Sequence, residues 1–521
     1  MQIIADLQLH SRFSRAVSPA MTIPNIALWA GRKGIGLVAT GDWTHPLWMR
    51  EIKEHLEEMG NGLLKLKSGA EVVGAVEGSP FAAHPSSRAS PPSTPSKEGV
   101  TVLEKTRPPA PAFLLATEVS CIYSQGGKVR RIHTLIWVPT LEAADKINRE
   151  MTRRGCNLMS DGRPIIGLTS IQVAELVLTI EPKALIIPAH AWTPWFSVYG
   201  SLGGFDSIDE AFGPYAKHIY GVETGLSSNP SMNWRIKELD HRSILSFSDA
   251  HSGPKLGREA TVFKIPDGQL SYEAIYHAIA GGAEVGMPLS RAVKVQTANS
   301  SSSLSSQGRD GTSKGHASPR RSTIAYMIEF YPEEGKYHYT GHRACNIRLS
   351  PEETKAKGST CPVCGKPLTQ GVMQRVEELA SRSESELRLV SMRQRINASE
   401  AEVIVTKSKA FPNRPAFVML VPLQEIIAES VGSPVTSPKV QTPYFRLTDA
   451  LAGEFNVLLS ASSEDITEIA GERVAAGVEK VRKGDLVIDP GYDGVFGVVK
   501  LWGEGEEKPL VDASREQLQL L

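Results

Sequence analysis

The sequence predicts an α/β fold, followed by a small cysteine-containing module and a mainly helical C-terminal region. Three observations lead to this prediction. Short apolar runs alternate with helix-like segments in the first part of the chain, which is the pattern of a parallel β-sheet. Several of these apolar runs end in Asp, Glu or His. Three of the five cysteines lie close together beyond residue 340.

The composition is that of a globular protein. The 521 residues are 41% hydrophobic and 22% charged, and a chain of this length forms about two to four domains. Lys+Arg and Asp+Glu number 57 each, so the chain has no overall basic field. Any contact with nucleic acid is therefore expected to be local or assisted by bound cations.

We expect the protein to be cytoplasmic. The chain starts with a strand-like run at residues 2–5, which leaves no room for a signal peptide. No apolar run approaches the roughly 20 residues needed to span a bilayer, so no membrane contact is expected. The odd number of cysteines favours a reducing compartment over a disulfide framework.

Strands and helices alternate over most of the first 296 residues. We predict strands over 3–9, 36–40, 113–117, 131–138, 184–188, 218–223, 243–247 and 261–263. We predict helices over 22–33, 46–60, 141–154, 170–179 and 207–212. Six or more βα units of this kind predict a barrel of parallel strands. Residues 74–112 are rich in Pro, Ser and Ala and are predicted to be a disordered insertion.

The predicted strand ends carry the candidate functional residues. Asp249 and His251 follow the strand at 243–247, and side chains two positions apart project to the same side of a strand. The carboxyl end of a parallel sheet is where α/β enzymes place their chemistry. The other strand-end residues are Gln8, His10, Asp42, His45, Glu118, His133 and His190.

This set of side chains predicts a polynuclear metal centre. Imidazoles and carboxylates bind two or three divalent ions such as Zn, Mn or Mg. Such ions lower the pKa of a bound water to about 7 and neutralise phosphate oxygens. Glu118 is suited to bridging two of them. Each histidine taken alone could be an ordinary core residue, and the metal interpretation depends on their recurrence at strand ends.

The same residues resemble the motifs of the PHP (polymerase and histidinol phosphatase) phosphoesterases. The motifs lie at 6–11, 41–46, 117–118, 132–133, 188–190 and 248–251. The resemblance implies a distorted (β/α)7 barrel with three ions, in which Asp249, Glu118 and His10 matter most for catalysis. The implied ligands are Gln8, His10, Glu118 and Asp249 for one ion, Glu118, His133 and His190 for the second, and Asp42 or His45 with His251 for the third. Gln8 departs from the family, which has His at this position.

A separate structural zinc site is predicted from the cysteine cluster. Cys361 and Cys364 have the spacing of a zinc knuckle and are followed by a glycine, and His342 and Cys345 have the same two-residue gap. These four residues are the predicted ligands, with His338 as the alternative to His342. A closed site of this kind folds a small module rather than doing chemistry.

Further segments resemble the endonuclease Q family over nearly the whole chain. They lie at 192–197, 223–230, 248–252, 255–259, 421–423 and 490–494, together with the cysteine cluster. The resemblance implies a metal-dependent endonuclease of DNA repair, associated with the nucleoid. Its partner would be DNA carrying deaminated bases (uracil, hypoxanthine, xanthine) or abasic sites, which enzymes of this family nick on the 5′ side.

Some residues are candidates for contact with DNA or with a partner protein. Aromatic residues that follow His190 could stack on an extruded base or only cap the barrel. The candidate DNA-contacting residues are Trp192, Trp195, Phe196, Tyr199, Asn229 and Arg343. The C-terminal Gln517, Leu518, Leu520 and Leu521 resemble the peptide by which bacterial repair proteins bind the sliding clamp, with a frayed helix end as the alternative.

The predicted organisation has five parts. A PHP metallophosphoesterase barrel over 1–296 is followed by a disordered linker over 297–322 and a zinc-finger module over 323–372. A helical DNA-binding region over 373–505, with helices at 374–395, 417–431, 443–451 and 466–483, precedes a tail over 506–521. Two other functions stay open: a PHP-family phosphatase acting on a small phosphomonoester, and a non-catalytic zinc-dependent nucleic-acid-binding protein.

Overall fold

The computed structural model describes residues 1–68, 110–281, 322–396, 399, 401–503 and 505. The predicted insertion at 74–112, except for its last three residues, lies outside this part of the chain. So do the predicted linker at 297–322, except for Ser322, and the whole predicted tail at 506–521. Among the described residues, no helix is long and apolar enough to cross a membrane.

The strands alternate with helices through the first half of the chain, as expected. The strands are β1 Gln2–Asp6, β2 Leu37–Ala39, β3 Leu56–Glu58, β4 Leu64–Leu66, β5 Ala112–Gln125, β6 Lys128–Val138, β7 Ile165–Ile166, β8 Leu185–Pro188, β9 Gly221–Glu223, β10 Ser243–Leu245, β11 Ala260–Lys264, β12 Thr323–Glu329, β13 Thr340–His342, β14 Ile347–Leu349, β15 Leu389–Arg395, β16 Glu402–Ser408, β17 Ala416–Met419, β18 Val487–Asp489 and β19 Val498–Lys500.

All five helices predicted before residue 280 are present, but the one predicted at 46–60 ends at His55 and gives way to β3, and Pro230–Trp234 and Tyr272–Ala280 were not predicted. The helices are Ile23–Lys33, Pro46–His55, Leu141–Arg153, Ser170–Ile180, Ile208–Phe212, Pro230–Trp234, Tyr272–Ala280, Pro351–Lys357, Val372–Leu379, Glu384–Leu387, Leu423–Val431, Pro438–Ala450, Glu454–Leu459, Ser463–Ala470 and Glu472–Lys483. Local signals explain the agreement. The Thr22 side chain caps Ile23–Lys33 by accepting from the Asn25 amide, and Gly34 ends that helix with a φ of 85°.

The large sheet is mixed rather than all parallel. β1 pairs in parallel with β2, and β2 in parallel with β5, so the carboxyl ends of these three strands point the same way. β5 and β6 form a long antiparallel hairpin, and β6 pairs antiparallel with β8. β9 and β10 form a separate parallel pair. The structure is therefore a mixed α/β fold, and the distorted barrel stays a prediction.

The prediction of a mainly helical C-terminal region is wrong for residues 389–419. This segment forms β15, β16 and β17, which extend the large sheet through β12 and β11. The predicted helix at 374–395 is correct only over 374–379 and 384–387, because the helix Val372–Leu379 stops before Ala380 and the chain enters β15 at Leu389. Most of residues 423–483 are helical, in five helices rather than the predicted three, and the predicted helix at 466–483 is interrupted at Gly471, whose φ is 90°.

The core contains buried acids beside the sheet as well as apolar side chains. Glu259 and Glu329 are fully buried. Burial raises the pKa of Glu329 well above its usual value, and burial together with the nearby charge of Glu329 does the same for Glu259. Both carboxyls therefore favour the neutral form in the folded protein.

Glu329→Gln is expected to stabilise the protein at alkaline pH. A carboxyl whose pKa is raised by folding stabilises the protein at pH values below its ordinary pKa of 4.5. This stabilisation is lost as the pH rises through the pKa that the group has in the folded state. The neutral amide escapes this loss, so the free energy of unfolding at pH 8 should rise by about 1 kcal/mol or more. Chemical denaturation at pH 5 and pH 8 measures the change. Parallel pH dependence in the variant, the wild type and an exposed control, Glu54→Gln, would contradict the prediction.

Candidate metal centre

Three of the predicted strand-end residues have a strained backbone. Asp42, His190 and Asp249 have φ values of 47°, 31° and 47°, in the left-handed region that side chains other than glycine rarely adopt. Strain of this kind clusters at functional sites, where the surrounding structure holds it. The three residues follow β2, β8 and β10, respectively.

His10, Asp249 and His251 form the first ligand group. One potential ligand atom from each lies within 4.8 Å of the other two. His10 Nε2 is 3.2 Å from Asp249 Oδ1, and the two imidazole rings are 5.0 Å apart. The backbone joins them as well, because the His10 amide donates to the Ala250 carbonyl at 3.0 Å.

Glu118, His133 and His190 form the second group, again with ligand atoms within 4.8 Å of one another. Glu118 Oε1 contacts His133 Nδ1 and lies 3.6 Å from His190 Nε2. The other oxygen, Oε2, is 3.2 Å from His10 Nε2. One carboxylate therefore faces both groups.

Gln8 lies beside Glu118, where the sequence analysis placed it. Its Nε2 donates to Glu118 Oε2 at 2.7 Å. Its Oε1 is buried and accepts no hydrogen bond from the described part of the chain. The amide oxygen is thus available as a ligand.

Asp42 lies behind His10 and holds its ring. Asp42 Oδ1 is 2.9 Å from His10 Nδ1, and Oδ2 accepts from the Ser11 amide and from the hydroxyls of Ser11 and Ser14 at 2.6 to 2.8 Å. A carboxylate on Nδ1 directs Nε2 toward the centre. The ligand role predicted for Asp42 stays a prediction, as does that of His45, whose ring stacks on Phe13 at 4.7 Å.

His190 is held in the same way by residues that the site prediction did not include. Its Nδ1 is 3.0 Å from the Thr193 hydroxyl, and its amide donates to Glu223 Oε2 at 2.7 Å. Gly225, with a φ of 58°, packs against His190 so closely that a Cβ there would overlap its side chain. The motif 223–230 contained this information, but nothing local indicated which residue it supports.

The electrostatics favour the metal-binding states of Glu118, Asp249 and His133, whereas burial is outweighed at His10, where Asp42 raises the pKa of the imidazole. Burial alone would raise the pKa of Glu118, but His133 and Arg163 hold the pKa of that carboxyl well below its usual range. Burial also opposes ionisation of Asp249, and the hydrogen bond and charge of His10 lower its pKa instead. Burial lowers the pKa of His133 to about 4, which keeps its imidazole neutral at pH 7.

Arg163 is a site residue that sequence reasoning missed. Its Nη1 lies 3.4 Å from Glu118 Oε1 and 3.5 Å from His10 Nε2, and its side chain is 24% exposed. Asp161 Oδ1 accepts from the Arg163 amide at 3.0 Å, and Gly162 lets the loop pass close to Ser14 and Asp42. The residue lies in an irregular loop, where no spacing or periodicity could have identified it.

The predicted zinc ligands converge on one point. His342, Cys345, Cys361 and Cys364 each offer an atom within 4.8 Å of the others. His342 Nδ1 is 3.4 Å from Cys364 Sγ. Burial opposes ionisation of Cys361, but the Cys364 and Val363 amides lower the pKa of its thiol to about 6. His338, the alternative ligand, is buried elsewhere and packs against Tyr339.

The predicted DNA-contacting residues divide into buried and accessible ones. Trp192 and Tyr199 are buried and stack on each other with ring centroids 4.7 Å apart, so neither ring offers a surface to a base. Phe196 packs against His133 at 4.8 Å. Trp195 is 37% exposed and packs against Tyr337 at 5.1 Å.

The other two predicted contacts, Asn229 and Arg343, lie at the surface or close to it. Asn229 caps Pro230–Trp234 by accepting from the Met232 amide at 3.1 Å, so its side chain already has a structural partner. Arg343 is exposed. The predicted clamp peptide, Gln517 to Leu521, lies outside the described residues.

Comparison with known proteins identifies relatives over most of the chain. Residues 422–485 match the family model of the MJ0043 C-terminal domain. The chain is 28% identical over 376 residues to the uncharacterized protein YqxK of Bacillus subtilis, which covers 71% of this chain and 74% of YqxK. It is 28% identical over 313 residues to the uncharacterized protein MJ0043 of Methanocaldococcus jannaschii, which covers 60% of this chain and 31% of MJ0043.

Two solved structures resemble the whole molecule. The lesion-specific endonuclease PfuEndoQ from Pyrococcus furiosus superimposes with a TM-score of 0.68 and 27% identity, over 96% of this chain and 95% of that chain. Endonuclease Q in complex with a 27-mer duplex substrate with an abasic lesion at the active site gives the same TM-score and identity, over 98% and 100%. The chain is thus similar to endonuclease Q structures over nearly its whole length.

Proposed function

We propose that this protein is a metal-dependent DNA repair endonuclease of the endonuclease Q family. It would cut the phosphodiester on the 5′ side of a deaminated base (uracil, hypoxanthine or xanthine) or an abasic site. The observation that carries the proposal is Glu118, whose two oxygens face two different ligand groups. The likeness to a relative bound to duplex DNA supports the choice of substrate. The motif positions support a PHP-type barrel as the scaffold.

The residues present fit two or three divalent ions. His10, Asp249 and His251 would hold one, and Glu118, His133 and His190 another. Both groups combine imidazole nitrogen with carboxylate oxygen, which Zn and Mn accept, and the buried Gln8 Oε1 still lacks a hydrogen bond from the described residues. When bound, such ions would lower the pKa of a water so that it can attack near neutral pH, and they would neutralise phosphate charge.

The chain's own residues would orient this chemistry. Asp42 and Thr193 hold the Nδ1 side of His10 and His190, so that both Nε2 atoms point inward. Arg163 adds a guanidinium at the same point, and such a group binds phosphate oxygens with two parallel hydrogen bonds. A phosphodiester placed there would have its developing negative charge stabilised by Arg163.

A cavity beside the centre could receive the damaged nucleotide. It has a volume of about 230 Å³, and Thr193, Trp195 and Tyr337 are among its lining residues. The Thr193 hydroxyl also contacts His190 Nδ1 at 3.0 Å, so the cavity lies on the outer side of the second ligand group. An extruded base could stack on Trp195 there, whereas a paired base could not reach it.

Nicking assays test the proposed function directly. The full-length protein is incubated with duplexes carrying uracil, hypoxanthine, xanthine, an abasic site or no lesion, with Mn or Mg. We expect cutting 5′ of each lesion that leaves 3′-hydroxyl and 5′-phosphate ends, and none after chelation. Hydrolysis of a small phosphomonoester without nicking would favour the phosphatase instead. If the protein bound no metal other than the structural zinc, the result would favour a non-catalytic nucleic-acid-binding protein.

Arg163→Ala is expected to slow nicking by about 10²- to 10³-fold, the cost of removing one charge-stabilising group from a transition state. Arg163→Lys should recover part of the rate, because it restores the charge but not the forked geometry. Single-turnover rates on abasic duplex measure the effect, and fluorescence anisotropy measures DNA affinity. An Arg163→Ala rate equal to that of the wild type would exclude a role in the reaction.

A further inference from the structure

The β18–β19 hairpin carries exposed apolar side chains at its tip. The two strands pair from Val487 with Lys500 to Asp489 with Val498. In the connecting loop, Phe496 is 66% exposed and Val495 is 39% exposed. We call Val495 and Phe496 the hairpin tip. An exposed aromatic ring next to an exposed valine contributes little to the core and indicates a contact surface.

A tight turn closes the loop next to the tip. Tyr492 and Val495 exchange two backbone hydrogen bonds of 3.0 and 2.8 Å. Between them, Asp493 and Gly494 have φ values of 42° and 84°, which is the Asp-Gly pattern of a two-residue hairpin turn. The Asp493 carboxylate also accepts from the Arg343 amide at 2.7 Å, which ties the turn to the Cys/His module.

Backbone hydrogen bonds fix the loop to the segment 333–336. The amides of Gly491, Gly494 and Gly497 donate to the carbonyls of Glu333, Lys336 and Glu334 at 2.8, 2.9 and 3.0 Å, respectively. A Cβ at Gly491 or Gly497 would overlap the backbone of this segment. The glycines permit the close approach, and the tip is therefore held rigidly on both sides.

The tip adjoins the cavity beside the metal centre. Lys336, which lines that cavity, places its Nζ 4.7 Å from the centroid of the Phe496 ring. The next residue, Tyr337, packs against Trp195 across the cavity wall. Lys336 thus contacts the exposed Phe496 ring and also lines the cavity proposed for the extruded base.

The surroundings of the tip suit nucleic acid. Lys336 and Arg343 are beside the loop. Arg348 lies 5.8 Å from the Tyr492 ring, but its guanidinium is paired with Asp489. Cationic groups around an apolar point complement a duplex, whose phosphates flank an apolar stack of bases. An apolar pocket on a protein partner would not require these cations.

Extruding a nucleotide leaves a gap in the base stack, and proteins that distort DNA fill such gaps with apolar side chains. We infer that the hairpin tip inserts into the duplex at the lesion, with Phe496 stacking in the place of the extruded base. The inference rests on the proposed function and names the element by which this endonuclease would open paired DNA.

Phe496→Ala separates this role from the chemistry. On a lesion in paired duplex, its single-turnover nicking rate is expected to fall by roughly 10-fold or more, which is within the range of one lost base-stacking contact. On the same lesion in single-stranded DNA, where no base pair is broken, the rate should stay within about two-fold of the wild type. Phe496→Leu should retain most of the duplex activity. Val487→Ala at the base of the hairpin is the matched control.

A second readout does not depend on nicking. With chelator present and protein saturating, a 2-aminopurine next to the lesion should brighten with the wild type and less with Phe496→Ala. The inference would be overturned if Phe496→Ala and the wild type gave equal brightening. It would also be overturned if Phe496→Ala lost nicking rate equally on duplex and on single-stranded DNA. Neither result would affect the proposed function. Wild-type brightening without nicking would overturn the proposed function alone. Unchanged duplex nicking by Phe496→Ala would assign the tip to a protein partner instead.

Discussion

Asp249→Asn should abolish nicking, with a loss of at least about 100-fold, because even residues that only support a metal ligand cost 10- to 100-fold. The substitution keeps the size of the side chain and removes the charge that lies 3.2 Å from His10 Nε2. DNA affinity should be retained, since the change does not remove a positive charge. Single-turnover rates on uracil-containing duplex and fluorescence anisotropy measure the two effects.

The control for this prediction is Asp145→Asn. Asp145 lies on the helix Leu141–Arg153 and forms an exposed ion pair with Lys53. The same chemical change at Asp145 should leave the nicking rate within about two-fold of the wild type. Uptake of divalent metal, measured on the purified protein, should fall in Asp249→Asn and not in the control. If Asp249→Asn cut uracil-containing duplex at the wild-type rate, the assignment of the site would be wrong.

Cys361→Ser should remove the structural zinc and unfold the small module around it. The buried apolar residues of this module are few: Leu349, Cys361 and Leu368 form its described cluster. The burial of so small a core does not offset the conformational entropy that the module loses on folding. Structural zinc supplies about 10–16 kcal/mol of binding free energy in zinc-finger peptides. Elemental analysis should show the loss of one zinc per chain. Hydrogen exchange should show loss of protection over 340–372.

Cys156→Ser is the matched control, since Cys156 is a half-buried free thiol outside the cluster. It should keep its zinc and its exchange protection. Full zinc content in Cys361→Ser would contradict the assignment of this cysteine as a ligand. Replacing His338, the alternative ligand, should leave the zinc content unchanged, because the structure brings His342 to the sulfur atoms instead.

The C-terminal strands show where sequence patterns fail. β15 lies at the edge of the large sheet, where β16 is its one partner among the described strands. Most of its side chains are exposed or half-buried, so Leu389–Arg395 has no alternation of apolar and polar residues. The charged composition of residues 374–395 favoured a helix. The pairing with β16, which no local pattern encodes, decides the outcome.

The aromatic residues after His190 illustrate a second limit. Trp192 and Trp195 are three positions apart and look equivalent in the sequence. In the structure Trp192 donates to Asn233 at 2.8 Å in the core, while Trp195 faces the cavity. Only the path of the loop between them distinguishes a core residue from a candidate contact.

The sequence by itself determined the strand ends, the helix caps, the ligand types and the spacing of the cysteine cluster. These features depend on residues that are close in the sequence, because short-range sterics and hydrogen bonding determine them. Only the tertiary structure decided that Asp42 orients His10, that Thr193 orients His190, and that Arg163 enters the centre. Such contacts depend on how distant segments pack together, and the energy of that packing is shared across the whole fold rather than carried by any one stretch.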